Sequence, residues 1–290
     1  MNITHFKLDE NKCIGCGTCT KVCCGEILSV DERGKVRIAP VTEFGWAGCW
    51  ECQHCLAVCP TGAISIFDRR PEDSLSTPKP ETAAPVLDAL LTTRRACRRY
   101  LQKDVPMEAI EEMFAVLQNL PTGSNKRKVE YTFLDREQTR RFHDLAYARM
   151  DELAAQGVYP KTFDAHYYGQ MKGWETKVRP DMLLCSAPYL LIPHEQKDVT
   201  CAYEDVNIAC TWWDLLCASR GLGSVMMTFP RSVLELMPDI YSLLGIPNDH
   251  YVGSLMGFGW PELHYPRGVQ RQGCAQLQRP VIPEIPPSER

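Results

Sequence analysis

Two runs of cysteine near the start of the chain, Cys13-x2-Cys16-x2-Cys19-x3-Cys23 and Cys49-x2-Cys52-x2-Cys55-x3-Cys59, carry chemistry in their spacing. Three thiolates packed this closely can wrap one face of an iron-sulfur cube, while a fourth, three residues further on, points away toward another cube. The spacing predicts two 4Fe-4S clusters and one-electron chemistry, with Cys13, Cys16, Cys19, Cys23, Cys49, Cys52, Cys55 and Cys59 as metal ligands. Zinc also favours four thiolates, but zinc modules usually supply two separated pairs per metal, and here two similar four-cysteine runs recur with Pro60 closing the second. In the first run Cys24 stands where proline is expected, so Cys24 competes with Cys23, although the x3 spacing favours Cys23. Seven cysteines remain: Cys24, Cys97, Cys185, Cys201, Cys210, Cys217 and Cys274. So many unpaired thiols fit a reducing, anaerobic cytoplasm, and the polar stretch Met1 to Asn11 has no apolar core for a signal peptide.

A second concentration of chemistry is Thr93-Arg-Arg-Ala-Cys-Arg-Arg-Tyr100, with arginines at 94, 95, 98 and 99. Guanidinium groups this close repel unless an anion, acidic side chains or water compensates, so the segment reads either as a phosphate site or as a solvated basic face. Asn119-Leu-Pro-Thr-Gly-Ser-Asn125 supplies turn residues and an amide able to read a polar ring edge. The basic stretch Lys126 to Lys128 that follows points to an anionic acceptor. Cys97, between arginines, reads either as an acidified, reactive thiol or as a buried small hydrophobe. Gly221-x-Gly223 lacks a third glycine and follows a helix, so it is a helix stop and no dinucleotide fingerprint. Trp212 and Trp213 read as core or dimer contact. His143, His166, His194, His250 and His264 are scattered, and no spacing marks any of them as a ligand or base.

The elements that position these residues divide in two. Ile27 to Val30 and Lys35 to Ile38 flank the turn-forming Asp31-Glu-Arg-Gly34, which predicts a hairpin, and Ala63 to Phe67 predicts a closing strand. Residues 1–67 form the first unit. Residues 68–85 carry Pro71, Pro78, Pro80 and Pro85 and predict a semi-extended linker. Residues 86–290 form a second unit with longer helices. Ile110, Met113, Phe114 and Leu117 recur at helical spacing after Pro106, and a further helix covers Arg136 to about Gln156. Glu204 to Arg220 predicts an apolar helix closed by Gly221. Tyr131 to Leu134, Tyr189 to Ile192 and His250 to Phe258 predict strands, so the fold class is α+β.

At 290 residues and 44% hydrophobic content the chain has room for two domains with real cores. A net charge of −4 argues against nucleic acid as a partner, and no apolar run is long enough for a membrane span.

The first unit resembles a bacterial ferredoxin with two 4Fe-4S clusters. That resemblance implies crossed ligation, with Cys13, Cys16, Cys19 and Cys59 on one cluster and Cys49, Cys52, Cys55 and Cys23 on the other. From about Leu87 to Arg271 the chain resembles the FMN-dependent nitroreductase family. Arg94-Arg-Ala-Cys-Arg98 with Tyr100 looks like its RRSxRxF opening, followed by Val105-Pro106, and Pro121-Thr-Gly-Ser-Asn125 is similar to its PSxxN loop. Asp181 to Pro188 looks like DxxxxxAP, and Glu204-Asp205 like the acidic start of the long central helix. Gly221-Leu-Gly, Leu244-Gly-Ile-Pro247 and Gly257-Phe-Gly-Trp-Pro261 match its GLG, LGIP and GxP stretches.

The resemblance implies a central, mostly antiparallel sheet flanked by helices, and a homodimer with FMN at the interface. It implies that Arg94, Arg95 and Arg98 hold the FMN phosphate and ribityl chain, helped by Arg267 or Arg271, with Ala96 in the same segment. Pro121, Thr122 and Asn125 would follow the ribityl chain and ring, and Met226-Met227-Thr228 would pass the flavin N5. Ala96 replaces the family's serine, Lys126-Arg-Lys-Val129 replaces xQPW, and Thr228-Phe229 stands where a Gly-Gly pair is common. No catalytic side chain is assigned, because the cofactor carries the difficult step. The expected enzyme is a flavin-dependent oxidoreductase whose clusters pass electrons from reduced ferredoxin or NAD(P)H to FMN, which reduces a nitroaromatic or other electron-poor acceptor. The alternative is an electron-transfer module of a larger complex.

Overall fold

The computed structural model describes residues 3–46, 48–160, 165–166, 168–169, 181–271, 273 and 275–283. Cys274 lies outside the described residues.

In the first unit, β1 (Lys7–Leu8) pairs antiparallel with β4 (Ile64–Ser65), Lys7 facing Ser65, so the start of the unit is tied to the end of its second cysteine run. The predicted hairpin forms from β2 (Leu28–Val30) and β3 (Val36–Ile38), with Leu28 opposite Ile38. Its turn is built by the Asp31 carboxylate, which accepts from the N–H groups of Arg33 and Lys35 at 3.0 and 2.8 Å, and by Gly34 at φ +72°. Two short helices, α1 (Thr18–Lys21) and α2 (His54–Val58), each follow a left-handed residue, Gly17 and Gln53. The small core combines Leu28, Val36, Leu56, Ile64 and Ile66 with the ligand thiols Cys13, Cys19 and Cys55.

The connecting segment departs from expectation. A 3-10 turn covers Pro71–Asp73, and α3 (Pro80–Thr93) begins inside the stretch expected to be a linker. Proline at the first helical position has no N–H to lose, and Pro85, early in the helix, removes one i→i−4 bond while its fixed φ still suits the helix. No residue of α3 is buried.

The second unit is built on an antiparallel sheet of β5 (Glu130–Leu134), β6 (Tyr189–Gln196), β9 (Leu255–Gly259) and β7 (Gly223–Met227), with β8 (His250–Val252) also on β6. The predicted strand from His250 to Phe258 is two strands. The chain breaks at Gly253, whose N–H donates to Pro193 O at 2.9 Å and where an added Cβ would stand 3.2 Å from Cys210 Sγ. The helices are α4 (Met107–Leu117), α5 (Arg136–Ala155), α6 (Ala202–Ser219), α7 (Phe229–Leu234) and α8 (Pro238–Leu243). Asp135 caps α5 by accepting from the N–H of Gln138 at 2.8 Å.

Strand β6 is buried at every position but Gln196 because both sheet faces are covered, and its first five residues are apolar. Leu190 and Ile192 point into a core with Phe142, Val233 and Ile240, while Tyr189 and Leu191 point into the opposite core with Met113, Trp213 and Phe258. Helix α6 presents Val206, Ala209, Cys210, Trp213 and Cys217 inward, and Gly221 at φ +72° follows its end as predicted. The expected α+β architecture, an antiparallel sheet flanked by helices, stands.

Candidate functional site

Two thiol cradles stand in the first unit. Cys13, Cys16, Cys19 and Cys59 line one cavity; Cys23, Cys49, Cys52 and Cys55 line another with Trp50, Gln53 and His54. Each cradle thus takes three cysteines from one run and one from the other. Cys24 also borders the second cavity but is exposed, its Sγ 4.0 Å from Val22 O, whereas Cys23 packs with the core.

Burial pushes the thiols of Cys19 and Cys49 up, and that of Cys55 to about 12, with Cys52, Cys49 and Cys23 adding like charge at Cys55. At Cys59 burial acts the same way, but hydrogen bonds from Ala63 N–H, at 3.2 Å, and Thr61 outweigh it and hold the thiol lower. The Thr18 hydroxyl, 3.3 Å from Cys16 Sγ, lowers that thiol. Desolvated thiols grouped in fours ionise only against a cationic centre, which is what iron supplies. The donor set fits two clusters.

The arginine segment lies along the edge of the main sheet. Ala96 bridges Ser224 of β7 in parallel, and Cys97 N–H donates to Ser224 O at 2.8 Å. Gly223 allows this approach, since an added Cβ would meet Cys97 Sγ at 2.6 Å. Arg94 forks onto one oxygen of Asp214 on α6, with Nε and Nη1 at 2.8 and 2.9 Å. An acidic partner therefore compensates one of the four guanidiniums. Arg95 donates to Thr92 O at 2.8 Å, and its Nε is buried without a partner among the described residues, at the wall of a cavity shared with Arg94, Asp214 and Ser224. An orphaned guanidinium nitrogen beside an open cavity fits an anionic group.

Arg98, Arg267 and Arg271 are exposed. Gly268 packs so closely on the end of α3 that an added Cβ would stand 3.1 Å from Thr92 O, which sets the Arg267 segment beside Arg95. Met227 is buried opposite Leu255, and Thr228 precedes α7. Cys97 is buried, and burial pushes its thiol up, as expected of a packing residue.

The Pro121–Asn125 loop sits elsewhere on α6. Gly123 N–H donates to both carboxylate oxygens of Asp205 at 3.1 Å, and an added Cβ at Gly123 would collide with Cys201 Sγ at 2.5 Å. Thr122 Oγ1 accepts from Arg127 N–H at 2.9 Å, and Pro121 is exposed. Ser124 and Asn125 are left-handed, at φ 52° and 54°. Asp205 holds this loop near the start of α6 and Asp214 holds Arg94 about 14 Å further along the axis. The structure brings the arginine segment and β7 together and leaves the loop apart from them. Asn125 Nδ2 instead donates to Trp50 O, in the second cradle, at 2.8 Å.

Three arrangements carried no signal in the spacing. His194 Nδ1 and His250 Nδ1 lie 2.9 Å apart, with Glu130 beside them, because β5 and β8 both pair with β6. Glu195 is fully buried, neither oxygen has a partner among the described residues, and burial with Asp205 nearby pushes it up to about 7. Asp181 accepts from the N–H groups of Leu183, Leu184 and Ser186 at 2.8, 3.0 and 3.0 Å and from Tyr147 OH at 2.9 Å, holding the turn that feeds β6.

A flavin-type α+β domain with two four-thiol cradles in the same chain defines an iron-sulfur oxidoreductase. Residues 12–63 match the 4Fe-4S dicluster domain, and residues 91–260, more than half of the chain, match the nitroreductase family. The chain belongs to the nitroreductase family and carries a ferredoxin-type unit ahead of that domain. A ferredoxin from Pyrobaculum islandicum is 40% identical over 58 residues, 20% of this chain and 49% of that protein, so the chain spans about half the length of this relative. The iodotyrosine deiodinase of Thermotoga neapolitana is 23% identical over 176 residues, 60% of this chain and 87% of that protein. A nitroreductase with bound FMN from Desulfitobacterium hafniense shares the fold, with a TM-score of 0.52 at 16% identity over 66% of this chain and 96% of that one. Among the described residues no helix is long and apolar enough to cross a membrane.

Proposed function

We propose that this chain is a flavin-dependent reductase fed through its own iron-sulfur unit, with reduced ferredoxin or NAD(P)H as donor and a nitroaromatic or other electron-poor organic compound as acceptor. The observation that carries the reading is the covalent joining of a dicluster unit to a nitroreductase domain, because a flavoenzyme reduced only by a nicotinamide has no evident use for it. When bound, the two clusters supply single electrons, and FMN collects two, with protons from solvent, and returns them as a pair.

The residues divide the work. Arg95, whose buried Nε lacks a partner among the described residues, and the exposed Arg98 hold the phosphate, with Arg267 or Arg271 closing over it; Arg94 orients the segment through Asp214. Ala96 fixes the segment to β7, so that Met227 and Thr228 run past the ring. Pro121, Thr122 and Asn125 border the ring or ribityl chain. Because this loop and the arginine segment are anchored at separate stations on α6, a two-fold homodimer, in which each protomer adds its loop to the other's arginines, completes the site. The basic stretch at 126–128 favours an anionic acceptor, and Arg127 lines the cleft where the two units meet. A reducing cytoplasm suits the free thiols.

The test is anaerobic bleaching of the bound flavin by reduced ferredoxin, NADPH and NADH in turn, followed by a nitroarene. Bleaching by ferredoxin that is lost with the clusters and reversed by the nitroarene supports the reading. Bleaching by NAD(P)H that ignores the clusters makes this an ordinary nitroreductase. Flavin reduction with no small-molecule turnover makes it an electron-transfer module.

A further inference from the structure

The two cradles are not equivalent toward the rest of the molecule. Trp50 sits between the ligands Cys49 and Cys52, and its carbonyl accepts from Asn125 of the flavin loop at 2.8 Å. Gln53, next in the same ligand loop, lines both the second cradle and the cleft between the units, where it faces Phe114, Gln118, Thr122 and Arg127. None of the residues lining the first cradle lines that cleft. Both sides of the contact hold non-glycine residues in the left-handed region: Glu51 and Gln53 on one, Ser124, Asn125 and Arg127 on the other. Conformations of this kind cost free energy and persist where surrounding contacts impose them.

Trp50 also reaches inward. It lines the second cradle, an added Cβ on Gly25 of the same cradle would lie 3.7 Å from its Cδ1, and its Nε1 is buried without a partner among the described residues. An indole N–H is only a donor, and a buried one ordinarily finds an acceptor. The sulfur of a cluster held by Cys23, Cys49, Cys52 and Cys55 is an acceptor of the right kind, and such hydrogen bonds tune cluster potential.

We propose that Trp50 is the joint between the iron-sulfur unit and the flavin loop, so that the cluster of the second cradle discharges to the flavin and the first cradle is the outward, donor-facing one. The inference rests on the functional reading above and adds an order: one electron enters at Cys13, Cys16, Cys19 and Cys59, passes to the second cradle, and leaves beside Asn125. Two successive one-electron deliveries from the second cradle, each replaced through the first, match the two electrons taken up by the flavin, with protons from solvent.

Two measurements on the anaerobic full-length holoprotein test it, neither of them turnover. Asn125→Gly removes the amide and tolerates the left-handed φ; loss of one hydrogen bond should lower the docked-to-undocked ratio about tenfold, read as faster hydrogen exchange at residues 49–54. Exchange at residues 13–19 should stay unchanged. Asn125→Asp, which can only accept when ionised, should give the same pattern. Trp50→Phe keeps the ring and deletes the N–H; redox titration followed by electron paramagnetic resonance should show one cluster potential moving more negative and the other fixed. Unchanged protection at 49–54 in both Asn125 variants, or equal movement or no movement of the two potentials, overturns the proposal. Failure of the functional reading looks different: clusters and flavin of the wild-type protein would exchange no electrons while the exchange protection and the potential shift remained.

Discussion

In the iron-sulfur unit the working atoms and the scaffold are nearly the same thing. The ligand thiols Cys13, Cys19 and Cys55 are themselves core residues, packed with Leu28, Leu56 and Ile64 among strands of two or three residues. In the flavin domain most of the scaffold stands apart from the site: of the residues assigned to the flavin, only Met227 and the half-buried Ala96 belong to the two apolar cores on either face of the sheet. The arginine segment and the Asn125 loop are then hung on its edges by a few polar contacts, to Asp214, Ser224 and Asp205. A small unit that lacks area for a large core draws its cohesion from its ligands, whereas a larger one can hold a site that is only half filled within one chain.

The largest effect should come from removing a ligand that crosses between the runs. Cys59 belongs to the second run but lines the first cradle, so Cys59→Ser should eliminate one cluster and loosen the other, taking iron from about eight to about four atoms per chain or fewer. Cys24→Ser, at an exposed thiol, should leave iron unchanged. Iron and sulfide analysis of both variants decides it; full iron retention in the Cys59 variant breaks the crossed arrangement. The matching cut in the flavin domain is Trp213→Ala. This side chain is fully buried between Phe114 and Phe258, and its loss should cost about 3–5 kcal/mol of unfolding free energy while the clusters of the first unit keep their spectra. If cluster spectra fail in step with the flavin domain, the two units do not stand independently.

The same contrast explains what could be read in advance. The two four-thiol cradles were legible because their spacing is local, and Cys23, at the x3 interval, packs with the core where Cys24 is exposed. Helix α6 and the hairpin at Asp31–Gly34 were legible for the same reason, since caps, turns and periodicity are local. Long-range pairing is not. His194 and His250 are brought together only by the register of β8 on β6, and the burial of Glu195 depends on its strand being covered on both faces. The family resemblance points to the arginine segment but not to the pairing of Arg94 with Asp214, because no spacing links residues on α6 to residues before α4. Prolines at 80 and 85 predict a linker, but Pro80 stands at the first helical position, where no N–H is needed, and the helix absorbs the one bond lost at Pro85.

Asp181 sharpens the comparison at intermediate scale, since it is a polar centre inside the flavin-domain scaffold. Its carboxylate accepts three backbone N–H groups and the Tyr147 hydroxyl, with His143 Nε2 at 3.7 Å. Asp181→Asn keeps the shape but loses the charge and some acceptor geometry, and should cost about 1.5–3 kcal/mol, measured by chemical unfolding at neutral pH. Burial alone would raise Asp181, but His143 and the N–H donors outweigh it and hold the carboxyl below its usual value. Its contribution is therefore present above the unfolded carboxylate range and lost as pH falls through the folded value. His143 is raised, chiefly by the hydrogen bond to Asp181, so its share is full below the unfolded imidazole value and fades as pH rises through the folded one. The difference between wild type and Asp181→Asn should be largest in the window between these limits. A difference independent of pH would remove the charge argument.

The smallest expected effect has the opposite sign and lies where the scaffold carries an uncompensated group. Glu195 is buried on β6 without a partner among the described residues, and burial with Asp205 nearby lifts it to about 7, above an unfolded value near 4.5. For an acid raised in the folded state, the unfolded chain releases its proton first, so stability falls as pH climbs from about 4.5 to about 7 and stays low beyond. Glu195→Gln is neutral at every pH and occupies the same volume. It should leave thermal stability near pH 5 almost unchanged and raise Tm at pH 8 by roughly 2–4 °C, the response of a domain of this size to about 1 kcal/mol. Melting curves at the two pH values, followed in the flavin domain, read this directly. A loss of stability at pH 8 would mean that the ionised carboxylate is held by a favourable partner, and would place Glu195 among the groups that the flavin domain completes only in its assembled form.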